Sequence, residues 1–217
     1  MPKHFFRHFA LAMLTLSACW TLAAAQELSP VTLPPPQTSG GKPLMQALKD
    51  RHSTRQFSSQ KLSPQVLSNL LWAAFGVNRP DGKRTAPSAL NWQEIDIYVA
   101  TLDGLYVYDP KSNALNPVLA QDVRGATGQQ GFVKDAALDL VYIADLGKTG
   151  KASADDQALY TGADTGFIAQ NVYLFCASEG LAVVVRGSVD RPALAKLMKL
   201  RPDQKITLSQ TVGYPKK

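Results

Sequence analysis

From Pro43 onward the chain alternates between two apolar rhythms. Val66, Leu67, Leu70, Leu71, Ala74 and Phe75 recur at the three-and-four spacing of one helix face. Ser63-Pro64 before them reads as a cap and first helical residue, and Gly76 after them as the stop. A shorter helix is predicted over residues 44–49, behind Pro43, with Leu44, Ala47 and Leu48 on one side. Ile95, Ile97 and Val99 alternate with other residues, which predicts a strand over 94–100, with 104–108 as its hairpin partner across Asp103-Gly104. Residues 137–144 and 181–185 are apolar runs of buried-strand length, and 206–214 predicts the last strand. Residues 155–179, closed by Gly180, predict the longest helix, apolar on nearly all sides, as at the centre of a fold or a subunit interface. Gly162 and Gly166 inside it point to close approach by another backbone or a ligand. A short helix is predicted over 191–200, while 111–135 carries only a broken pattern. This mixture predicts one α+β or α/β domain over residues 43–217, without an internal repeat.

The first 42 residues follow neither rhythm. Lys3 and Arg7 precede an apolar run from Phe9 to Leu16, and Ala23-Ala24-Ala25 supplies small residues before Gln26. That is the layout of a secretory signal over residues 1–25, too short for a spanning helix. Leu16-Ser17-Ala18-Cys19 is a second option, a lipoprotein box in which Cys19 becomes a lipidated, membrane-anchored first residue. Both imply export, to a bacterial periplasm. Residues 26–42 include Pro34-Pro35-Pro36 and read as an extended, flexible linker.

Losing Lys3 and Arg7 with the signal lowers the formal charge from +6 to +4. With no basic run interleaved with aromatics, nucleic acid is not an expected partner. After cleavage Cys176 is the only cysteine, in an apolar run, and reads as a buried small hydrophobe. His4 and His8 lie in the signal, so His52 alone makes neither a metal site nor a catalytic triad. A chain with so few acid, base or nucleophilic candidates needs a cofactor for its chemistry. Arg51-His52-Ser53-Thr54-Arg55-Gln56-Phe57 is the stretch suited to holding one. Two guanidinium forks four residues apart, with hydroxyls between, match the oxygens of a phosphate. A solvated basic turn after a helix is the other reading of the same residues.

Five segments follow in order across nearly all of 43–217: the heptad 51–57; Pro87-Ser88-Ala89-Leu90-Asn91-Trp92-Gln93; the helix with Gly166 and Gln170-Asn171-Val172-Tyr173-Leu174; Gly180-Leu181 leading to Val185-Arg186-Gly187; and Val212-Gly213-Tyr214-Pro215. Together they resemble the nitroreductase superfamily of FMN-dependent oxidoreductases. Gly104-Leu105-Tyr106-Val107-Tyr108-Asp109-Pro110 is similar to the azoline-oxidase-like dehydrogenase branch. The resemblance implies a three-layer α+β fold, its central, mostly antiparallel sheet flanked by helices, with the long helix at a homodimer interface that carries FMN. It implies that Arg51, His52, Ser53 and Arg55 hold the phosphate and ribityl chain. Ser88 and Asn91 would reach the flavin from the other subunit, Pro87 and Gly166 would also contact the cofactor, and Arg186 and Gly187 would lie near its N5. Lys216 or Lys217 would replace the family's basic C-terminal residues, in a chain that stops almost at once after them. The activity implied is hydride transfer through FMN between a donor and a small organic acceptor, with NAD(P)H as an open choice of donor. A flavin- or planar-ligand-binding protein without turnover is the alternative on the same scaffold.

Overall fold

The computed structural model describes residues 28–217; the expected signal over residues 1–25, with Cys19, lies outside them. At its centre is β5 (Leu138–Asp145), every residue of which is buried. Antiparallel neighbours extend the sheet on both sides. On one side come β2 (Ile95–Thr101), β3 (Leu105–Asp109), β4 (Ala114–Leu119) and the two-residue β1 (Val31–Thr32); on the other come β7 (Gln204–Gly213) and β6 (Ala182–Arg186). The fold is therefore α+β, and every strand pairing is antiparallel.

The period of two along β5 divides the core into two faces. Leu138, Leu140 and Tyr142 join a cluster with α2 (Pro64–Phe75) and α3 (Ala154–Glu179), and α1 (Leu44–Asp50) packs on α3. Val141 and Ile143 face the other way, into a cluster with Leu194 of α4 (Arg191–Leu197), Val189 and Met198. Helices thus cover both faces of the sheet in three layers.

The helix termini follow their sequence signals. The side chain of Ser63 accepts from the Val66 N–H at 3.3 Å at the start of α2. Ser153 does the same for Asp156 in α3, where Asp155 and Asp156 also complement the helix dipole. Gly180 closes α3 in the left-handed region at φ 70°, where a side chain would be strained.

α3 is not buried all round. Thr165, Ile168, Ala169, Val172, Tyr173 and Cys176 form its inward stripe, while Leu159 and Phe167 are 63% and 48% exposed on other faces. Apart from the adjoining backbone of α3 itself, no heavy atom of the described residues lies within 4 Å of where a Cβ would stand on Gly162 or Gly166. The close approach expected at these glycines does not occur within one chain. Cys176 is fully buried, and burial pushes its thiol well above the usual range, as expected of a core residue.

Two stretches differ from the sequence reading. Within 111–135 a regular strand, β4, hides behind an interrupted pattern because it contains Pro117 and has partly exposed faces. In the expected linker, residues 31–34 are extended but docked. Val31 and Thr32 pair with Leu115 and Ala114, and Leu33 is only 4% exposed. The Pro34 carbonyl accepts from Ser68 Oγ at 2.6 Å and from Asn113 Nδ2 at 2.9 Å. A proline-rich stretch lacks donors, but its carbonyls still bond a neighbour, and here they tie α2 to the sheet edge. Leu33→Ala is therefore expected to lower the unfolding free energy by about 2–3 kcal/mol in urea titration. A free tether would lose nothing.

Candidate functional site

β6 is an edge strand, so one side of its backbone faces away from the sheet. Unpaired groups on such an edge need partners. The Val183 carbonyl accepts from the Thr54 N–H at 2.9 Å. Two residues on, the Val185 N–H donates to the Tyr173 hydroxyl at 2.9 Å. Gly187 comes next by the same period, and its N–H has no acceptor among the described residues. The edge thus ends in a free donor on an exposed glycine.

The basic heptad covers this edge. Arg51 N–H closes α1 on the Ala47 carbonyl, and the chain then runs alongside β6. Ser53 Oγ lies 2.8 Å from the Tyr173 hydroxyl. The Arg51 guanidinium sits over the Tyr173 ring, 5.3 Å from its centroid. His52 is exposed, and its Nδ1–H donates to the Asp50 carbonyl at 2.6 Å, which leaves Nε2 outward. Arg55 is exposed and has no carboxylate within 4 Å among the described residues. Beyond it Phe57 pairs with Pro215, and Lys216 N–H donates to the Gln56 carbonyl at 3.2 Å. That register sets the backbone of Arg55 opposite Lys217, so the terminal lysines end beside the heptad. Lys216 and Lys217 also line a groove of about 1070 Å³ with Phe57, Lys61, Lys134 and Tyr214.

The side chain of Arg186 turns its charge into the interior. Nη2 lies 2.8 Å from Asp139 Oδ1, and Nη1 donates to the Thr127 carbonyl at 2.8 Å. Thr211 Oγ1 donates to the same Asp139 oxygen. Burial pushes the Asp139 carboxyl up to about 7 against the pull of Arg186, and burial also lowers Arg186. Only the backbone of Arg186 and Gly187 is offered to the edge.

The second predicted segment forms a separate cluster. Ser88 Oγ accepts from the Gln93 N–H at 2.8 Å and donates to Glu94 Oε2 at 3.3 Å. The Ala89 N–H donates to Asp164 Oδ2 on α3 at 2.9 Å. Pro87 and Asn91 are exposed, and Leu90, Asn91 and Gln93 hold positive φ of 50°, 54° and 49°. Such backbone costs energy in non-glycine residues, so the carboxylates must hold the loop in shape. Asp164 and Tyr173 are nine residues apart on α3, about 13 Å along its axis. One chain therefore does not bring Ser88 and Asn91 onto the heptad.

Tyr173 was not among the predicted site residues, although it links three of the elements described. Its sequence signal is a hydroxyl on the inward stripe of an apolar helix, where it must find partners. Glu94 was also missed. It is fully buried with Oε1 unpaired, and burial, with Asp164 adding to it, raises its pKa to about 6. The folded pKa exceeds the unfolded one, so the native state holds the extra proton and stability falls as pH rises from about 4.5 to 6. Glu94→Gln is expected to remove that fall. Its stability relative to the parent, from urea melts, should climb across pH 4.5–6 and level off above. A flat difference would contradict the assignment.

The profile of the Nitroreductase family matches residues 48–214. A nitroreductase-like protein of Methanocaldococcus jannaschii is 30% identical over 168 residues, covering 73% of this chain and 85% of its own. The crystal structure of a nitroreductase-like protein of Ralstonia eutropha has 46% identity and a TM-score of 0.83, covering 87% of this chain and 90% of its own. A Desulfovibrio desulfuricans structure, described as a nitroreductase in complex with FMN, shares the fold at 21% identity and TM-score 0.60, covering 82% and 89%. The match begins in α1 and runs through the heptad, the 87–93 loop, α3 and β6 to Tyr214, so the chain belongs to the nitroreductase family.

Proposed function

We propose that this protein is an FMN-dependent oxidoreductase that passes hydride equivalents from a donor to a small organic acceptor. The observation that carries the reading is the Gly187 N–H, without an acceptor among the described residues, at the exposed end of the β6 edge that the Arg51–Ser53 segment runs along. The residues present fit FMN. Arg51, Ser53 and Arg55 offer guanidinium and hydroxyl donors suited to a phosphate. The Gly187 N–H suits an acceptor on the ring, and Lys216 and Lys217 extend the positive charge. FMN supplies the two-electron chemistry, while the protein orients it and sets the charge around it. The family relation and the FMN complex of the Desulfovibrio protein support this cofactor.

The reading includes a homodimer. The exposed Leu159 and Phe167 and the open Gly162 and Gly166 leave one side of α3 uncovered. Leu44 and Met45 on α1 and Leu90 in the loop are also 63–78% exposed. A partner seated there would bring its own Pro87, Ser88 and Asn91 toward the heptad, which one chain leaves apart. The reading also includes export by residues 1–25. NAD(P)H is the donor if the enzyme meets it; in a periplasm, where these nucleotides are scarce, a membrane or quinone donor takes that place.

The test is direct. The purified parent is expected to bind FMN, bleach with an anaerobic donor such as NADPH or dithionite, and recover its colour with a quinone or nitroaromatic acceptor. Arg51→Ala with Arg55→Ala should weaken FMN binding at least about a hundredfold, from the loss of two charge-assisted contacts. A parent that ignores FMN contradicts the proposal. One that holds FMN but never exchanges electrons with any acceptor favours the non-catalytic binding protein.

A further inference from the structure

Tyr173 makes three contacts at once on the edge just described. Its oxygen is 2.9 Å from the Val185 nitrogen and 2.8 Å from Ser53 Oγ, and its ring lies under Arg51. Chemistry fixes the direction of the Val185 bond, while the Ser53 bond by geometry admits either hydroxyl as donor. A backbone N–H can only donate, so the Tyr173 oxygen accepts from Val185. The phenolic proton then needs an acceptor, and Ser53 Oγ is the one in reach among the described residues. With Oγ accepting from Tyr173, the Ser53 proton turns away from the interior. Ser53 is exposed, so its O–H points where a ligand would sit.

The surface left facing outward is made of donors: Ser53 O–H, the Arg51 guanidinium and the Gly187 N–H. Ser53 left alone could present a lone pair or a proton. Arg51 left alone would sample many rotamers, because a long exposed side chain keeps its conformational freedom. Tyr173 removes both freedoms. Val185 anchors the tyrosine in turn, so the polarity of the whole chain originates in the edge strand.

We propose that Tyr173 is a positioning residue for the cofactor: its hydroxyl polarises Ser53 into an outward donor, and its ring preorients Arg51 on the phosphate. The role divides between the two parts of the side chain. The hydroxyl acts only through Ser53, and the ring only through Arg51. This rests on the FMN reading above. The ring effect should therefore select FMN over riboflavin, which lacks the phosphate.

The test is a double-mutant cycle read by flavin fluorescence as equilibrium dissociation constants, with thermal midpoints as a fold control. Tyr173→Phe and Ser53→Ala are each expected to weaken FMN by about tenfold, and the double variant by about the same tenfold, because both break one chain of donors. Ser53→Ala changes an exposed position, so it reports even if Tyr173→Phe folds poorly. Tyr173→Leu should cost FMN a further severalfold beyond Tyr173→Phe while riboflavin affinity changes equally little between those two variants. Losses that multiply to about a hundredfold in the double variant overturn the proposal. So does a Tyr173→Phe protein with a lower midpoint and unchanged FMN affinity, which would make the tyrosine merely structural. A parent that binds no FMN overturns the reading beneath it, whereas a parent that binds FMN with a Tyr173→Phe variant to match overturns this inference alone.

Discussion

The exposed side of β6 is the constraint on which the site depends. A sheet that ends in an open edge leaves backbone donors and acceptors unpaired, and soluble proteins cover or blunt them. Here the cover is made of two pieces far apart in sequence, the heptad after α1 and the tyrosine of α3. Together they bind the carbonyl of Val183 and the N–H of Val185 and stop short of Gly187. The same bonds that cover part of the edge hold Arg51 and Ser53 along the strand that ends at the exposed Gly187.

The reverse side of β6 is held just as firmly. Arg186 and Asp139 form an ion pair, both side chains almost wholly buried, to which Thr127 and Thr211 add hydrogen bonds. A Cβ on Gly128 would collide with Arg186 Nη1, so any larger residue there would have to displace the buried guanidinium. The following loop bonds Ser188 through the Gln129 N–H at 3.2 Å, so residues 127–129 grip the chain on both sides of Gly187. A buried ion pair is weak evidence of stabilisation, since desolvation opposes the attraction, but it favours a single geometry. The Gly187 peptide is thereby fixed without a side chain of its own.

Much of this was legible in the residues. Periodicity located α2, α3 and the strands β2, β3, β5, β6 and β7 to within a few positions, because each has a strong apolar rhythm and clear stop signals such as Gly76 and Gly180. β4 was lost because Pro117 and exposed residues break its alternation. The docking of residues 31–34 was hidden because it relies on proline carbonyls and one leucine, neither of which forms a pattern. Within the site, guanidinium chemistry singled out Arg51 and Arg55, whereas Arg186 entered only through the family resemblance, and its side-chain partner Asp139 lies 47 residues away on another strand. Tyr173 and Glu94 escaped for the same reason: each matters through residues brought near only by the fold.

Membership of the nitroreductase family and the geometry of the edge meet at one place, the row from Arg51 to Gly187. Amide hydrogen exchange of that row, with and without saturating FMN, is the most direct test. The account predicts slowed exchange at residues 51–55 and at Gly187 on addition of FMN, with residues 132–137 of the neighbouring groove unchanged. FMN that saturates the protein yet leaves Gly187 and residues 51–55 exchanging as before would contradict it.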